Sequence, residues 1–281
     1  MAGTKPGMMP NWSARTTSDT DMELGLEGKV ALVTGSSRGI GRGIALAFAD
    51  EGCDLLLTGR DKAALEEVAQ SIKANGRTAV AHPLDLRTPS AAAALVETAK
   101  REFGGLDILV NNAGTTKRGD FLALTDADWE EGYALKLFAH MRLARAAWPL
   151  LKERRGSLIA IAGTSGRKPE KSFTIGSSVN AAVAAFTKCL ADLGKEDGVQ
   201  VNCIHPSLVE TERQWRRIRA EIERTGEPEG KIRERLCRDT GIIRFGTVQD
   251  VADLATFIVS SRATWLTGAT IDLDGGEIPV L

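Results

Sequence analysis

From residue 28 onward, short apolar runs alternate with longer stretches of helical period. Residues 30–34 read Val-Ala-Leu-Val-Thr, apolar almost throughout instead of at every second position. A strand of that kind is covered on both faces. Residues 39–52 follow with Ile40, Ile44, Leu46 and Phe48 spaced as on a helix with one buried side. The alternation continues with strands at 54–58, 78–84 and 107–110 and helices at 61–75 and 90–103. Beyond these, the pattern predicts helices over 126–153 and 176–195, and strands over 157–162, 199–204 and 269–273. Apolar strands separated by amphipathic helices imply an α/β fold, a doubly wound parallel sheet of the Rossmann type with right-handed crossovers. One segment, 208–245, departs from the alternation: it is long, charged and helical in composition. It follows a sheet strand and reads as a helical lid over a ligand site.

Composition narrows the picture. The 281 residues are 43% hydrophobic, enough for a sizeable core, and no internal repeat is found, so a single domain over 26–281 is expected. The formal charge of -1 gives no global attraction to nucleic acid or to an anionic membrane. No apolar run reaches the roughly eighteen residues a membrane span needs. Cys53, Cys189, Cys203 and Cys237 are scattered, and with three histidines they offer no zinc pattern; reduced thiols in a cytoplasmic protein are the simplest reading. Residues 1–25 are rich in small and polar types without an apolar segment, and read as a disordered tail and not as a signal peptide.

Chemistry enters at the first turn, Thr34-Gly-Ser-Ser-Arg-Gly-Ile-Gly41. Gly35 allows a sharp turn; Gly39 and Gly41 allow the backbone to approach a pyrophosphate and the helix to pack on the sheet. Ser37, Arg38 and Ile40 complete the loop at a helix N-terminus, whose free N–H groups and dipole favour phosphate. At the end of the second strand, Leu57-Thr-Gly-Arg-Asp61 puts Gly59 where an acid would hold a ribose 2′-hydroxyl. Arg60 and Arg38 instead suit a 2′-phosphate, so NADP(H) is favoured over NAD(H). Asp61 is one position late and reads as a helix cap.

These segments, together with Asn111-Asn-Ala-Gly114 and Val201-Asn-Cys-Ile-His-Pro-Ser-Leu-Val-Glu-Thr211, resemble the short-chain dehydrogenase/reductase family over roughly 26–276. The resemblance implies that Asp85 and Leu86 contact adenine, and that Asn112, Ala113 and Gly114 lie beside the cofactor. It also implies that Pro206, Ser207, Val209 and Thr211 face the nicotinamide carboxamide. Further implications are a small-molecule substrate and a homodimer or homotetramer. Helices 126–153 and 176–195 would pair across one interface, and the C-terminal strand with the chain end would build another.

The family's catalytic Asn, Ser, Tyr and Lys are all replaced. Their places fall on Lys136, Gly163, Gly176 and Asn180. The chain has a single tyrosine, Tyr133, so no shift of register restores a Tyr-x-x-x-Lys. The 3.6 period puts Trp129, Tyr133, Lys136 and His140 on one helical face. A buried Lys136 could serve as acid or base, or could pair with a carboxylate or snorkel to solvent. Ser165, like Thr164, could orient a substrate oxygen or merely fill a turn. Asn180 could hold the ribose, while Ser177 and Ser178 could cap the helix. His205, before Pro206, is read as packed, and His82 as structural. Two basic loops carry Lys117 and Arg118, and Arg167, Lys168 and Lys171. They could ring the mouth for an anionic substrate or be solvated loop charge; the lid's Arg213, Arg216, Arg217 and Arg219 are nearly balanced by glutamates. The first functional expectation is an NADP(H)-dependent oxidoreductase of a carbonyl or alcohol with an unusual proton donor. Alternatives are a nucleotide-binding protein without turnover, and a lyase or isomerase with Lys136 as base.

Overall fold

Strand pairing sets the frame. In the computed structural model, which describes residues 23–279, seven strands form one parallel sheet in the order β3-β2-β1-β4-β5-β6-β7. These are β1 Val30–Thr34, β2 Asp54–Gly59, β3 Ala79–Pro83, β4 Ile108–Asn111, β5 Ser157–Ile161, β6 Gln200–Pro206 and β7 Thr270–Leu273. The doubly wound α/β class expected from the apolar runs is the observed one. Alternate residues of each strand feed opposite faces. Ala31, Val33, Leu55, Leu57, Ile108 and Val110 join one core, and Val30, Leu32, Leu56, Leu109 and Leu158 the other.

Helices α1 (Gly39–Asp50), α2 (Lys62–Ala74) and α9 (Val248–Val259) cover the first face through Ile44, Phe48, Leu65, Ile72 and Val251. The second face is covered by α3 (Ala91–Phe103), α5 (Ala139–Arg154) and α6 (Thr174–Asp197), with Leu95, Leu143 and Ala191 packed inward. Two further helices, α7 (Glu212–Thr225) and α8 (Glu229–Thr240), occupy the 208–245 segment. They hold a small core of their own, built from Ile218, Ile232, Ile242 and Phe245.

Two features depart most from the pattern. The helix expected over 126–153 is α4 (Asp126–Tyr133), then a π-helical turn Ala134–Phe138, then α5. Inserting that wider turn leaves hydropathy nearly unchanged, so periodicity reads straight through it. Residues 23–25, assigned to the tail, belong to the fold. The backbone carbonyl of Leu24 accepts from the Ser261 N–H at 2.8 Å, and its side chain packs on the first core. The rest of the tail, and the chain end at 280–281, lie outside the described residues.

The β1–β4 seam starts at Asp107, whose carboxylate is almost fully buried. It accepts from the Val30 N–H at 3.0 Å and from Lys29 Nζ at 3.0 Å. Removing it strands a buried backbone donor. Asp107→Ala is expected to lower the unfolding free energy by about 2 kcal/mol, and Asp107→Asn, which keeps an acceptor, by less. Urea unfolding of the two variants checks this; equal losses would contradict it.

Candidate active site

A cleft of about 780 Å³ opens at the carboxyl ends of the strands, where the chain leaving β1 and the chain leaving its neighbour β4 pass to opposite faces of the sheet. This is the switch point at which open α/β sheets take ligands. Its rim is built by hydrogen bonds. Thr34 Oγ1 donates to the Val110 carbonyl at 3.1 Å and accepts from the N–H groups of Asn112 and Ala113 at 2.9 and 3.0 Å. Asn112 Nδ2 returns a hydrogen bond to the Thr34 carbonyl at 2.8 Å.

The loop after β1 turns through Gly35 and Gly39, both in the left-handed region, with φ of 66° and 55°. Gly35, Ser37, Arg38, Gly39 and Ile40 line the cleft. Gly41 does not; its place is behind the loop. A Cβ there would lie 2.3 Å from the Gly35 carbonyl oxygen, so its lack of a side chain lets α1 pack against the loop. The N-terminus of α1 has no side-chain cap and no acid in its first turn. By contrast, α2, α4, α7 and α9 are each capped by an Asp or Thr side chain. The open end of α1 therefore keeps donors for an anion, which fits a pyrophosphate.

At the far edge, Gly59 and Arg60 line the cleft and no acid stands at Gly59. A Cβ built on Gly59 would meet Ser37 Oγ at 3.5 Å, an ordinary contact, so the position faces the cradle. Asp61 caps α2 by accepting from the Ala64 N–H at 3.2 Å. Arg38 makes one long, exposed ion pair with Glu212 at 3.5 Å. Asp85 and Leu86 line the same end, and Arg87 grips Asp85 so that its carboxyl stays below the usual range. An acid-free strand end beside two guanidiniums fits a 2′-phosphate.

Asn112, Ala113 and Gly114 form the middle of the wall, with Pro206, Ser207, Val209 and Thr211 distant in sequence but on the same cleft. Ser207 Oγ donates to Glu277, and Thr211 caps α7 through the Gln214 N–H at 3.3 Å. His205 is buried, with Nδ1 at 2.7 Å from the Gly163 carbonyl oxygen, a packed histidine. His82 pairs with Thr98 at 2.9 Å, away from the cleft.

Lys136, Ser165 and Asn180 meet at the inner end. Lys136 projects from the π-helical turn and its stem crosses Gly114, where a Cβ would come within 2.8 Å of Cδ. Its Nζ donates to the Ala162 carbonyl at 2.9 Å. Part of the side chain borders the cleft, yet the ammonium is desolvated, and burial pushes its pKa down to about 7, with help from the Arg213 charge. Among the described residues no carboxylate pairs with it. The nearby Cys203 thiol is itself pushed up to about 12 by burial and stays neutral. Asn180, almost fully buried, donates from Nδ2 to Ser165 Oγ at 2.9 Å, and its Oδ1 has no partner among the described residues.

Gly176 is not a gap. A Cβ there would lie 2.1 Å from Phe173 Cζ, so the Phe173 ring occupies the space a side chain would enter. The Arg118 guanidinium stacks on that ring at 3.8 Å and makes two hydrogen bonds to Glu170, at 2.7 and 3.1 Å. Helix α6 also begins earlier than expected, at Thr174, so Ser177 and Ser178 lie inside it and do not cap it; Ser178 Oγ bonds back to the Thr174 carbonyl at 2.9 Å.

Two other expectations are corrected. Trp129 and Tyr133 do not share an inward face with Lys136. They stack on each other, 6.3 Å between centroids, and stand off the cleft because the π-helical turn changes the rotation between them and Lys136. His140 does turn inward, but into the core, where it bonds the Ala113 carbonyl at 2.9 Å and burial pushes its pKa down to about 3. The basic loops do not ring the mouth with free charge. Lys117 pairs with Asp128, Arg167 with Asp272 and Lys168 with Glu277; only Arg118 of that set lines the cleft, while Lys171 does not. Arg213 and Arg217 of the lid do line it, as do Phe173, Glu170 and Glu277, to which the sequence pattern assigned no role.

The sequence and the fold are matched in known proteins. The short chain dehydrogenase family model matches residues 29–221. An uncharacterized oxidoreductase of Mycobacterium tuberculosis is 35% identical over 253 residues, 89% of this chain and 92% of its own. The 2,3-dihydro-2,3-dihydroxybenzoate dehydrogenase of Bacillus subtilis is 31% identical over 253 residues, 90% of this chain and 97% of its own. Among solved structures, L-sorbose reductase from Gluconobacter frateurii, complexed with NADPH and L-sorbose, superposes with a TM-score of 0.89 at 33% identity. That match covers 92% of this chain and all of the reductase. With the fold, the cradle and the sequence in agreement over most of its length, the chain belongs to the short-chain dehydrogenase family.

Proposed function

We propose that the protein is an NADP(H)-dependent oxidoreductase that interconverts a carbonyl and an alcohol, with Lys136 giving and taking the proton. When bound, the nicotinamide supplies or accepts the hydride at the substrate carbon. The observation that carries the reading is a desolvated amine, without a carboxylate partner, on the wall of the cleft. A lysine held near neutrality is matched to proton transfer at working pH, which an ordinary lysine is not. Ser165, positioned by Asn180, orients the substrate oxygen, and Asn180 Oδ1 is left to accept from the ribose. The pyrophosphate rests on the open end of α1, and the 2′-phosphate between Arg38, Ser37 and Arg60. Helices α7 and α8 cover the substrate end. A relative solved with NADPH supports the choice of cofactor. The reading includes a cytoplasmic homodimer or homotetramer, in which partner copies would cover Trp265, 98% exposed beside β7, and Leu193 on α6. Binding of the nucleotide without turnover is the second reading, favoured by the Phe173 ring over Gly176. NADPH binding with no product from a wide carbonyl panel would select it.

Lys136→Met keeps much of the stem and deletes the charge. The variant is expected to fold and bind NADPH but to lose turnover by about a hundredfold or more. In the wild type, carbonyl reduction needs the protonated amine and should fall as pH rises through about 7, while alcohol oxidation needs the neutral amine and should rise over the same range. A fully active Lys136→Met, or pH profiles without opposite slopes, would remove Lys136 from the chemistry.

Stability carries an independent signature. A lysine lowered from 10.5 to about 7 binds fewer protons folded than unfolded between those values, so its penalty on folding is complete below about 7 and vanishes above 10.5. Lys136→Met is therefore expected to melt above the wild type at pH 6, with the advantage shrinking toward pH 10. A lysine paired with a carboxylate would give the opposite sign.

For the cofactor, Arg60→Ala is expected to weaken NADPH binding more than NADH binding, because only NADPH carries the phosphate that Arg60 would hold. Indistinguishable wild-type titration curves for the two nucleotides would contradict the assignment.

A further inference from the structure

Four cations, Arg118, Lys136, Arg213 and Arg217, line the cleft together with the carboxylates Glu170, Glu212 and Glu277. All three carboxylates are engaged, Glu212 by Arg38 and Arg216. Glu170 is held by Arg118, and Glu277 accepts from Ser207 and pairs with Lys168 at 3.5 Å. Arg213 and Arg217 form no ion pair among the described residues, although both residues are solvent-exposed at the cleft. Their guanidiniums are pushed below the ordinary range by burial and by the neighbouring Arg118 charge.

The placement of these two arginines is unlike that of Arg216 and Arg224 on α7. Arg216 pairs with Glu212 and Arg224 with Glu221, each on the same helix. Arg213 and Arg217 stand one turn apart with like charge, an arrangement that weakens a helix unless something negative lies between them. Between them, Gln214 also lines the cleft, and its Nε2 is shielded from water and has no acceptor among the described residues. Two guanidiniums and an amide donor without acceptors form a complementary seat for oxygens that carry negative charge.

We propose that the substrate carries an anionic group, a carboxylate or a phosphate, which Arg213 and Arg217 hold in the cleft shared with Lys136. The inference rests on the oxidoreductase reading and names the substrate class of that site. It also adds a coupling. The Arg213 charge is one of the forces that keep Lys136 from holding its proton. An anion seated on Arg213 offsets that field, so the substrate that needs a proton for its carbonyl oxygen helps Lys136 to carry one. Arg213 and Arg217 are thus binding residues, and Arg213 also tunes the acid.

The test uses the full chain saturated with NADP+, so that the cradle is filled and cannot take the probe. Calorimetric titration with 2-oxobutyrate, with its methyl ester and with inorganic phosphate compares two anions and a neutral analogue. The inference expects at least one anion to bind about tenfold or more tightly than the ester, and the stronger anion identifies the group. The double variant Arg213→Gln, Arg217→Gln is expected to lose that binding by about tenfold or more while its NADP+ affinity stays within about twofold. Arg213→Lys with Arg217→Lys, which restores charge without the planar fork, should recover part of the loss and guards against a folding defect. Equal binding of ester and acid, failure of both anions to bind, or anion binding that survives the double glutamine variant would each overturn the proposal. NADPH oxidation separates this outcome from the underlying reading. Anion binding without reduction of any carbonyl counts against the oxidoreductase and leaves the anion seat standing. Reduction of the ester as efficiently as the acid keeps the oxidoreductase and removes the anion seat.

Discussion

The hydroxyl of Thr34 ties together the two strands between which everything functional is placed. It donates to β4 and accepts from the two N–H groups just beyond β4, so the end of β1 and the Asn112–Ala113 turn are fixed as one unit. The cradle glycines hang from one side of that unit, and Gly114, across which Lys136 lies, from the other. The same turn is anchored to α5 by the Ala113 carbonyl on His140 and by Asn111 Nδ2 on the His140 carbonyl, at 2.9 and 3.2 Å. Nucleotide cradle and proton-bearing amine are therefore placed by one short network of buried hydrogen bonds, the kind that holds a single geometry.

Around this frame the proposed chemistry exchanges one way of managing a proton for another. Where the family keeps a phenol, Phe173 fills the volume above Gly176, and Arg118 closes over the ring. Restoring a tyrosine at Gly176 would require that ring to leave and its stacked guanidinium to find a new partner, which makes the substitution an overpacking one. Where the family keeps a lysine, Asn180 bonds Ser165 without a charge. The amine instead arrives from the π-helical turn. There it is desolvated, and among the described residues no carboxylate pairs with it; in the proposed chemistry desolvation does what a phenol's intrinsic acidity would otherwise supply.

Much of this is legible in the sequence. Uninterrupted apolar runs mark the strands, because a parallel sheet buries both faces and leaves no polar alternation to blur the signal. The cleft-lining glycines, Arg38, Arg60 and the Asn112–Gly114 turn can be placed because their spacing is fixed by the loop that uses them. Other features are hidden for physical reasons. A π-helical turn adds width to a helix without altering hydropathy, so periodicity assigns Tyr133 and Trp129 to a face they do not share with Lys136. Phe173 lies just ahead of the helix it shields, and no period relates a loop residue to the volume it fills. The arginines of α7 are offset in part by the glutamates beside them. Only the fold separates Arg216 and Arg224, which have partners, from Arg213 and Arg217, which face the cleft. The basic loops mislead in the opposite sense, since the acids that neutralise Lys117 and Arg167 are distant in sequence or lie on other elements.

The proposed chemistry stands or falls on whether Lys136 titrates near neutrality inside the folded protein. Labelling the lysines with 13C at Cε and following their NMR shifts with pH measures this directly, with the Lys136 signal identified by its loss in Lys136→Met. The expected result is a Lys136 midpoint of about 7, well below the ordinary lysine value of 10.5. A Lys136 midpoint near that ordinary value would contradict it.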